Sequence, residues 1–338
     1  MKSAAGIAKM LGLGLAGLAA GAYLVRQARK IDLKNSVVLI MGGSRGLALE
    51  LARCFAAEGA ILALAARDSR ELAEARKKLD LPEARLYTFI CDVTSSSQVN
   101  GAIAAVERQV GEVDVLINNA GLIEVGPMEV QTIEDYNDSM DTHFWGPLYA
   151  TEAVVPSMRR RRRGRIVNIA SIAGLVSVPH LLPYCASKHA LVGFSEGLRT
   201  ELLKDNIFVT TVCPGLMRTG SPRNANFKGH NRIEFALFSL LDALPFTSIS
   251  AAKAAAQIVR ACKHGDANLV ISIQAQAAKL VHSLAPEFAS DLFGLSNFVL
   301  PGDGGIGTAS AKGRDSESAI SPSILTVLSE LAALRNNE

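Results

Sequence analysis

The chain lacks most of what marks a metalloprotein, a disulfide scaffold or a nucleic-acid binder. Its net charge over 338 residues is only +3, too small to imply nucleic-acid binding by itself. Its five cysteines are Cys54, Cys91, Cys185, Cys213 and Cys262, and no two form a C-x-x-C. An odd, scattered set reads as reduced intracellular thiols that fill core space, not as a disulfide framework. His, Cys and acidic residues show no zinc-like spacing, so no metal is expected. Hydrophobic residues make up 49% and charged residues 20%. A chain of this length buries a large core without metals or cross-links.

Charge is also missing from Met10 to Val25, a stretch rich in Leu, Ala and Gly. Lys2 and Lys9 precede it, and Arg26, Arg29 and Lys30 come directly after. A membrane span needs about 20 residues, which is reached only by counting back to Ala4 and letting Lys9 snorkel. Three readings stand: a membrane anchor, a cleaved signal peptide, or an extra helix or frayed terminus. The basic residues after the stretch favour keeping its C-terminal side in the cytoplasm. A soluble cytoplasmic protein is the alternative.

Beyond Lys34 short apolar runs alternate with helical stretches. Strands are predicted at Val37–Met41, Ile61–Ala66, Leu86–Ile90, Val113–Ile117, Arg165–Ala170, Ile207–Val212 and Asn268–Ile273. Their Val/Ile/Leu runs show little polar alternation, as expected for strands buried on both faces. Helices are predicted at Leu47–Ala57, Glu71–Lys78, Val99–Gln109, Ala186–Leu203 and Ala251–Cys262. This alternation predicts an α/β fold of the Rossmann type, a doubly wound parallel sheet of about seven strands with helices on both faces. The expected division is an N-terminal segment (1–33), one α/β domain (34–275) with residues 216–250 as a covering lid, and a helical extension with a flexible tail (276–338). The tail is read at Pro301–Ser323, rich in Gly, Ser, Ala and Asp, before a short helix at Ile324–Leu334.

The first strand runs into Gly42-Gly43-Ser44-Arg45-Gly46-Leu47-Ala48 and then a helix. A Gly-rich turn there lets the backbone approach a pyrophosphate, and the helix N-terminus supplies free N–H groups. The second strand ends at Ala66-Arg67-Asp68, with Ala66 where an NAD site would carry its ribose-binding acid. Arg45 and Arg67 suit a 2′-phosphate, so NADP(H) is expected. NAD(H), with Asp68 on the ribose, is the alternative. Further on come Cys91-Asp92-Val93, Asn118-Asn119-Ala120-Gly121, and Pro214-Gly215 with Thr219 beyond. Each closes a predicted strand at its carboxyl end, where open α/β sheets bind ligands.

Tyr184 and Lys188 form a YxxxK, which places phenol and ammonium on one helix face. A neighbouring Lys⁺ is expected to lower the tyrosine pKa and make it a usable acid or base. Thirteen residues upstream, Asn168-Ile169-Ala170-Ser171 closes another strand.

Taken in order, these segments resemble the short-chain dehydrogenase/reductase family over about Asn35 to Ile273. The resemblance implies that Ser171, Tyr184 and Lys188 are catalytic. It implies cofactor contacts at Gly42, Ser44, Arg45, Gly46, Leu47, Arg67, Asp92, Val93, Asn119, Ala120, Gly121, Tyr184, Lys188, Pro214, Gly215 and Thr219. Three positions depart from the family pattern. Met41 replaces a threonine that ties the loop to its neighbour. Ala48 replaces the last glycine. His143 stands where an asparagine holds a relay water, and it either serves in that relay or packs inside its helix.

The expected function is an NADPH-dependent carbonyl reductase or alcohol dehydrogenase. Val176, Val178, His180, Leu181, Leu182 and Pro183, with Leu216, Met217 and Phe235–Leu241, suggest an apolar pocket for a lipophilic ketone or secondary alcohol. A non-catalytic NADP-binding scaffold or redox sensor is the alternative. No nucleic-acid partner is expected, and the resemblance implies a homo-oligomer. The run Arg159–Arg163 reads as a surface turn, either simply solvated or drawn to anionic lipid.

Overall fold

The computed structural model describes Gly17 and residues 20–244, 246–318 and 326–338. Most of the uncharged N-terminal stretch therefore lies outside the described residues. So do residues 319–325, part of the predicted tail and of its short helix.

Seven parallel strands form the main sheet. They are β1 (Val37–Met41), β2 (Ile61–Ala66), β3 (Leu86–Ile90), β4 (Val115–Asn118), β6 (Gly164–Ile169), β7 (Ile207–Pro214) and β11 (Asn268–Ile271). Their spatial order is β11-β7-β6-β4-β1-β2-β3. Each face of β1 feeds a different core. Val38 and Ile40 pack with helices α1 (Leu47–Ala57) and α8 (Ala251–His264). Leu39 and Met41 pack with α3 (Ser96–Gln109) and α5 (Gly146–Arg161). Burial on both sides is why β1 and β2 are unbroken apolar runs, whereas the edge strand β3 carries Thr88 and an exposed Ile90. The strand order reverses beside β1, between β1–β2–β3 and β4–β6–β7, and such a switch point opens a crevice at the carboxyl ends of the strands.

The lid is more structured than a covering loop. It contains β8 (Leu216–Arg218), β9 (Asn226–Phe227), α7 (Asn231–Ala243) and β10 (Ser248–Ser250). β8 pairs with β10, and β9 pairs with β5 (Glu124–Val125). Two buried contacts hold it down, a hydrogen bond between His180 and Glu234 and an ion pair between Lys228 and Asp135, each at 2.5 Å.

The predicted flexible tail is a correction. Ala311–Lys312 forms β12, paired antiparallel with β9. The Gly313 amide donates to Ala225 O, and a Cβ at Gly313 would strike Pro222 and Phe235. Ser316 is fully buried and meets Asn231. The segment is ordered by backbone pairing and small-residue packing, neither of which needs large apolar side chains. After α9 (Ile273–Leu284) and α10 (Pro286–Ser296), the last helix, α11 (Val327–Asn336), docks on α1 and the lid.

The arginine run is solvated, but it starts in a helix: Arg159–Arg161 form the last turn of α5 and pair with Asp205, Glu112 and Asp114, while Arg159, Arg160, Arg162 and Arg163 stay exposed. Among the described residues no helix is long and apolar enough to cross a membrane.

Candidate active site

The glycine loop is fixed by its neighbours. Gly42 has φ 74°, and a Cβ there would lie 2.5 Å from the Ala120 Cα. Only glycine allows that approach of β1 to the end of β4. The Asn119 amide group donates to Gly42 O at 2.9 Å, which supplies the tie that Met41 cannot make. Ala48 is fully buried in the packing of α1. Gly46, at φ 62°, turns the chain into α1, so Leu47 opens a helix with no side-chain cap. Ser44 Oγ and Arg45 Nη1 both reach Glu71 on α2 (Ser69–Leu79), at 2.7 and 2.9 Å.

Arg67 is exposed at the end of β2. Asp68 caps α2, its Oδ1 accepting from the Arg70 and Glu71 amides. Asp92 closes its own turn by accepting from Thr94, and Val93 packs against Gly146. Gly215, after Pro214, donates to Ile271 O. The buried Thr219 begins the lid beside Gly46.

Ser171 caps a short turn after β6, and Tyr184 lies near the start of α6 (Leu182–Leu202). Burial pushes the Tyr184 phenol up to about 12, against the opposing pull of the Ser171 hydroxyl. Lys188 Nζ lies 5.6 Å from the Tyr184 ring centroid and donates to Ile169 O at 2.9 Å. Burial lowers Lys188 to about 7. Burial therefore raises Tyr184 where the sequence predicts that a neighbouring Lys⁺ lowers it: desolvation of the tyrosinate dominates.

His143 is fully buried in a single turn of π-helix, Asp141–Trp145, between α4 (Ile133–Met140) and α5. π turns inside helices are frequent at functional sites. His143 Nε2 accepts from the Leu122 amide at 3.0 Å, so Nδ1 carries the proton. Nδ1 then donates to Ser187 Oγ at 2.8 Å, and Ser187 donates to Tyr184 O at 3.0 Å. Burial holds the imidazole well below its usual range, hence neutral. Behind it runs a buried polar chain from Asn118 to Asn168, to Ser195, to Thr211. Of the expected pocket residues, Leu182 is 41% exposed and His180 is committed to Glu234. Cys185 packs inward toward Val178 O, and burial raises its thiol.

Sequence reasoning missed Glu71, Ser187, Asn224 and the docking of the last helix on the glycine loop. Ser187 was visible inside the YxxxK, one helical turn after Tyr184. Nothing in the sequence signalled the others.

The donor set of the loop fits a dinucleotide pyrophosphate, and the chain itself shows it. The Gly46 amide donates to Asn336 O at 2.7 Å, and a Cβ on Gly46 would lie 2.5 Å from Glu338 Oε1. Carbonyl and carboxylate oxygens thus stand where phosphate oxygens would be received.

Fold and site together define a nucleotide-dependent oxidoreductase, and the chain belongs to the short-chain dehydrogenase/reductase family. The short chain dehydrogenase family model matches residues 36–228. The chain is 36% identical over 231 residues to "Dehydrogenase/reductase SDR family member 7B" of Danio rerio, covering 64% of this chain and 75% of that protein. It is 33% identical over 260 residues to "Dehydrogenase/reductase SDR family protein 7-like" of Anopheles gambiae, covering 75% and 80%. Among solved structures, a short-chain dehydrogenase from Streptomyces avermitilis superposes with TM-score 0.68 at 29% identity, covering 80% of this chain and all of that one. The protein is an NAD(P)-binding oxidoreductase acting on CH–OH or C=O groups.

Proposed function

We propose that the enzyme reduces lipophilic ketones with NADPH, or oxidises the matching secondary alcohols. The observation that carries the cofactor choice is a cluster of cations. Burial lowers the Lys312 pKa, and Arg45, Arg67 and Arg314, within electrostatic reach, lower it further against the opposing pull of Glu124. Such a cluster suits a 2′-phosphate. Asp68, the acid an NAD site would use, is spent on capping α2. The Gly42–Leu47 loop would hold the pyrophosphate, and Asn119, Ala120, Gly121, Pro214 and Gly215 would line the rest of the crevice.

When bound, the nicotinamide supplies or accepts a hydride. Ser171 orients the substrate oxygen, and Tyr184 gives it a proton in reduction or takes one in oxidation. Lys188 would bind the nicotinamide ribose beside Tyr184. His143, with both ring nitrogens engaged, positions Tyr184 through Ser187 and the Leu122 loop instead of holding a relay water. Leu182, 41% exposed near Tyr184, and the partly exposed Leu216 and Met217 of the lid support a lipophilic substrate.

The test is titration of NADPH and NADH by nicotinamide fluorescence, then turnover on a panel of ketones. NADPH preference with turnover supports the reading. NADH preference overturns the cofactor assignment. Binding without turnover on any carbonyl favours the scaffold or sensor alternative.

Membrane association belongs to the same reading and has its own support. Residues 20–28 are helical, and Arg26 pins them to Asp266 through bonds of 2.7 and 2.8 Å. At the base of this helix lies a cleft of about 790 Å³, lined by Arg29, Lys30, Lys34, Arg162, Arg165 and Phe208 among others. Cations beside the foot of an apolar stretch suit anionic headgroups. Flotation with vesicles containing phosphatidylserine, and not with neutral ones, is the expected result. Homo-oligomer formation is proposed from the family resemblance and is checked by light scattering.

A further inference from the structure

The last helix does more than cover α1. Its end is bonded into the cofactor cradle from several sides. Asn336 O accepts from the Gly46 amide, and the Asn337 side-chain amide donates to Ser44 O and Glu71 O at 3.0 and 3.1 Å. Glu338 is almost fully buried. Its Oε2 accepts from Asn224 Nδ2 at 2.5 Å and lies 3.7 Å from Arg45 Nε. Lys312 stands alongside, donating to Asn224 O at 3.2 Å.

A latch holds these residues in place. Arg53 on α1 binds Asn336 Oδ1 and Arg335 O, each at 3.0 Å, and Lys78 on α2 binds Leu334 O at 2.6 Å. Gly220 has φ 94° and no Cβ, which lets Ala333 press against the lid. Burial raises the Glu338 carboxyl against the pull of Arg45 and Asn224. Held at a helix N-terminus, that group occupies the ground that a phosphate of the cofactor needs, and the two cannot share it.

We propose that Asn336, Asn337 and Glu338 are a built-in competitor for the cofactor, with Glu338 holding the anion site formed by Arg45, Asn224, Lys312 and the Gly46 amide. Cofactor entry then requires the end of α11 to leave. Asn224 and Lys312, freed by that departure, become phosphate ligands contributed by the lid and the C-terminal segment. The proposal rests on the dinucleotide reading above. Apparent affinity is reduced by the fraction of molecules in which the cradle is filled, so weakening the competitor tightens cofactor binding with no new contact.

The experiment titrates NADPH and NADH into the full chain and into Glu338→Gln and Arg53→Ala. Arg53 touches the latch and Glu50 on its own helix but no residue of the cradle, so it tests displacement without altering the cradle. Hydrogen exchange of residues 327–336 is measured with and without NADPH. The expected result is a Kd for NADPH about three- to tenfold lower in both variants, and lost protection of 327–336 when NADPH binds the wild-type chain. Unchanged or weaker binding in both variants overturns the proposal. So does increased protection of 327–336 with NADPH, which would make the segment a clamp over bound cofactor. Tight wild-type binding with no effect of either substitution rejects the competitor and leaves the cofactor reading intact. Failure of every protein to bind either nucleotide rejects both.

Discussion

His143 Nδ1 sits 2.8 Å from Ser187 Oγ, and Ser187 in turn donates to the carbonyl of Tyr184. The π turn is thereby tied to the first turn of α6, and the Tyr184 phenol is located by a bond to a residue three positions along the chain. The edge of the imidazole also meets the tyrosine ring, at 5.4 Å and 88°. Replacing His143 with Ala leaves the Leu122 amide and Ser187 short of partners in a dry interior. The expected cost is about 1–3 kcal/mol of stability. His143→Asn is expected to recover part of it. Thermal melts check the stability. A drop in kcat in the Ala variant that is partly restored by Asn identifies a positioning role, and equal turnover in all three proteins rejects it.

Tyr184→Phe removes the proton donor and keeps the ring. Turnover is expected to fall by about 10²–10⁴-fold. Binding of NADPH, measured by fluorescence, is expected to persist. Retained turnover removes Tyr184 from the chemistry.

Gly42→Ala forces a side chain into the Ala120 backbone at a positive φ. Overpacking of this kind costs about 1–3 kcal/mol, and the left-handed backbone adds about 1 kcal/mol more. A lowered melting temperature together with weaker nucleotide binding is expected, because loop and crevice share this contact. Normal binding by a destabilised protein separates the two.

The lid should fail when one member of a buried pair is removed. Lys228→Met leaves Asp135 without its ammonium partner among groups that are nearly dry. A loss of about 3–5 kcal/mol is expected. Urea melts of this variant and of Lys228→Met with Asp135→Leu measure it, the double variant recovering much of the loss.

Docking of α11 on the lid is expected to depend on pH. Asp242 on α7 accepts from Ser329 on α11 at 2.8 Å, faces Arg218 and Glu338, and is raised by burial from 3.8 to about 7. Between those values the folded protein holds a proton that the unfolded chain has released. The contribution is fully present below about pH 3.8 and is lost as pH rises through about 7. Exchange protection of residues 327–336, corrected for intrinsic rates, should decline as pH rises through about 7. Asp242→Asn should flatten that decline.

The sheet was legible in the sequence because its strands lie between two layers of helices. β1 and β2 begin and end where their apolar runs do. The motif residues at the strand ends converge on one crevice for the same reason, since a parallel sheet brings all its carboxyl ends together. What stayed hidden depends on contacts between distant segments. β9 and β12 have two residues each, too few for any periodic signal. The ordering of Gly313 and Ser316 rests on an empty Cβ position and a hydrogen bond, which composition does not record. Tyr184 and Lys188 were found from their spacing, yet their ionisation depends on burial, which spacing does not carry.

The π turn at Asp141–Trp145 amounts to one surplus residue in an otherwise regular rod. Each residue of an α-helix turns the chain by about 100°, from 3.6 residues per turn. Deleting one residue in that turn would therefore swing His143 off the Leu122 amide or carry the rest of α5 off its buried seam. The wall of the active site thus keeps its alignment by a miscount, and a position there is identified by what it bonds, not by counting along the chain.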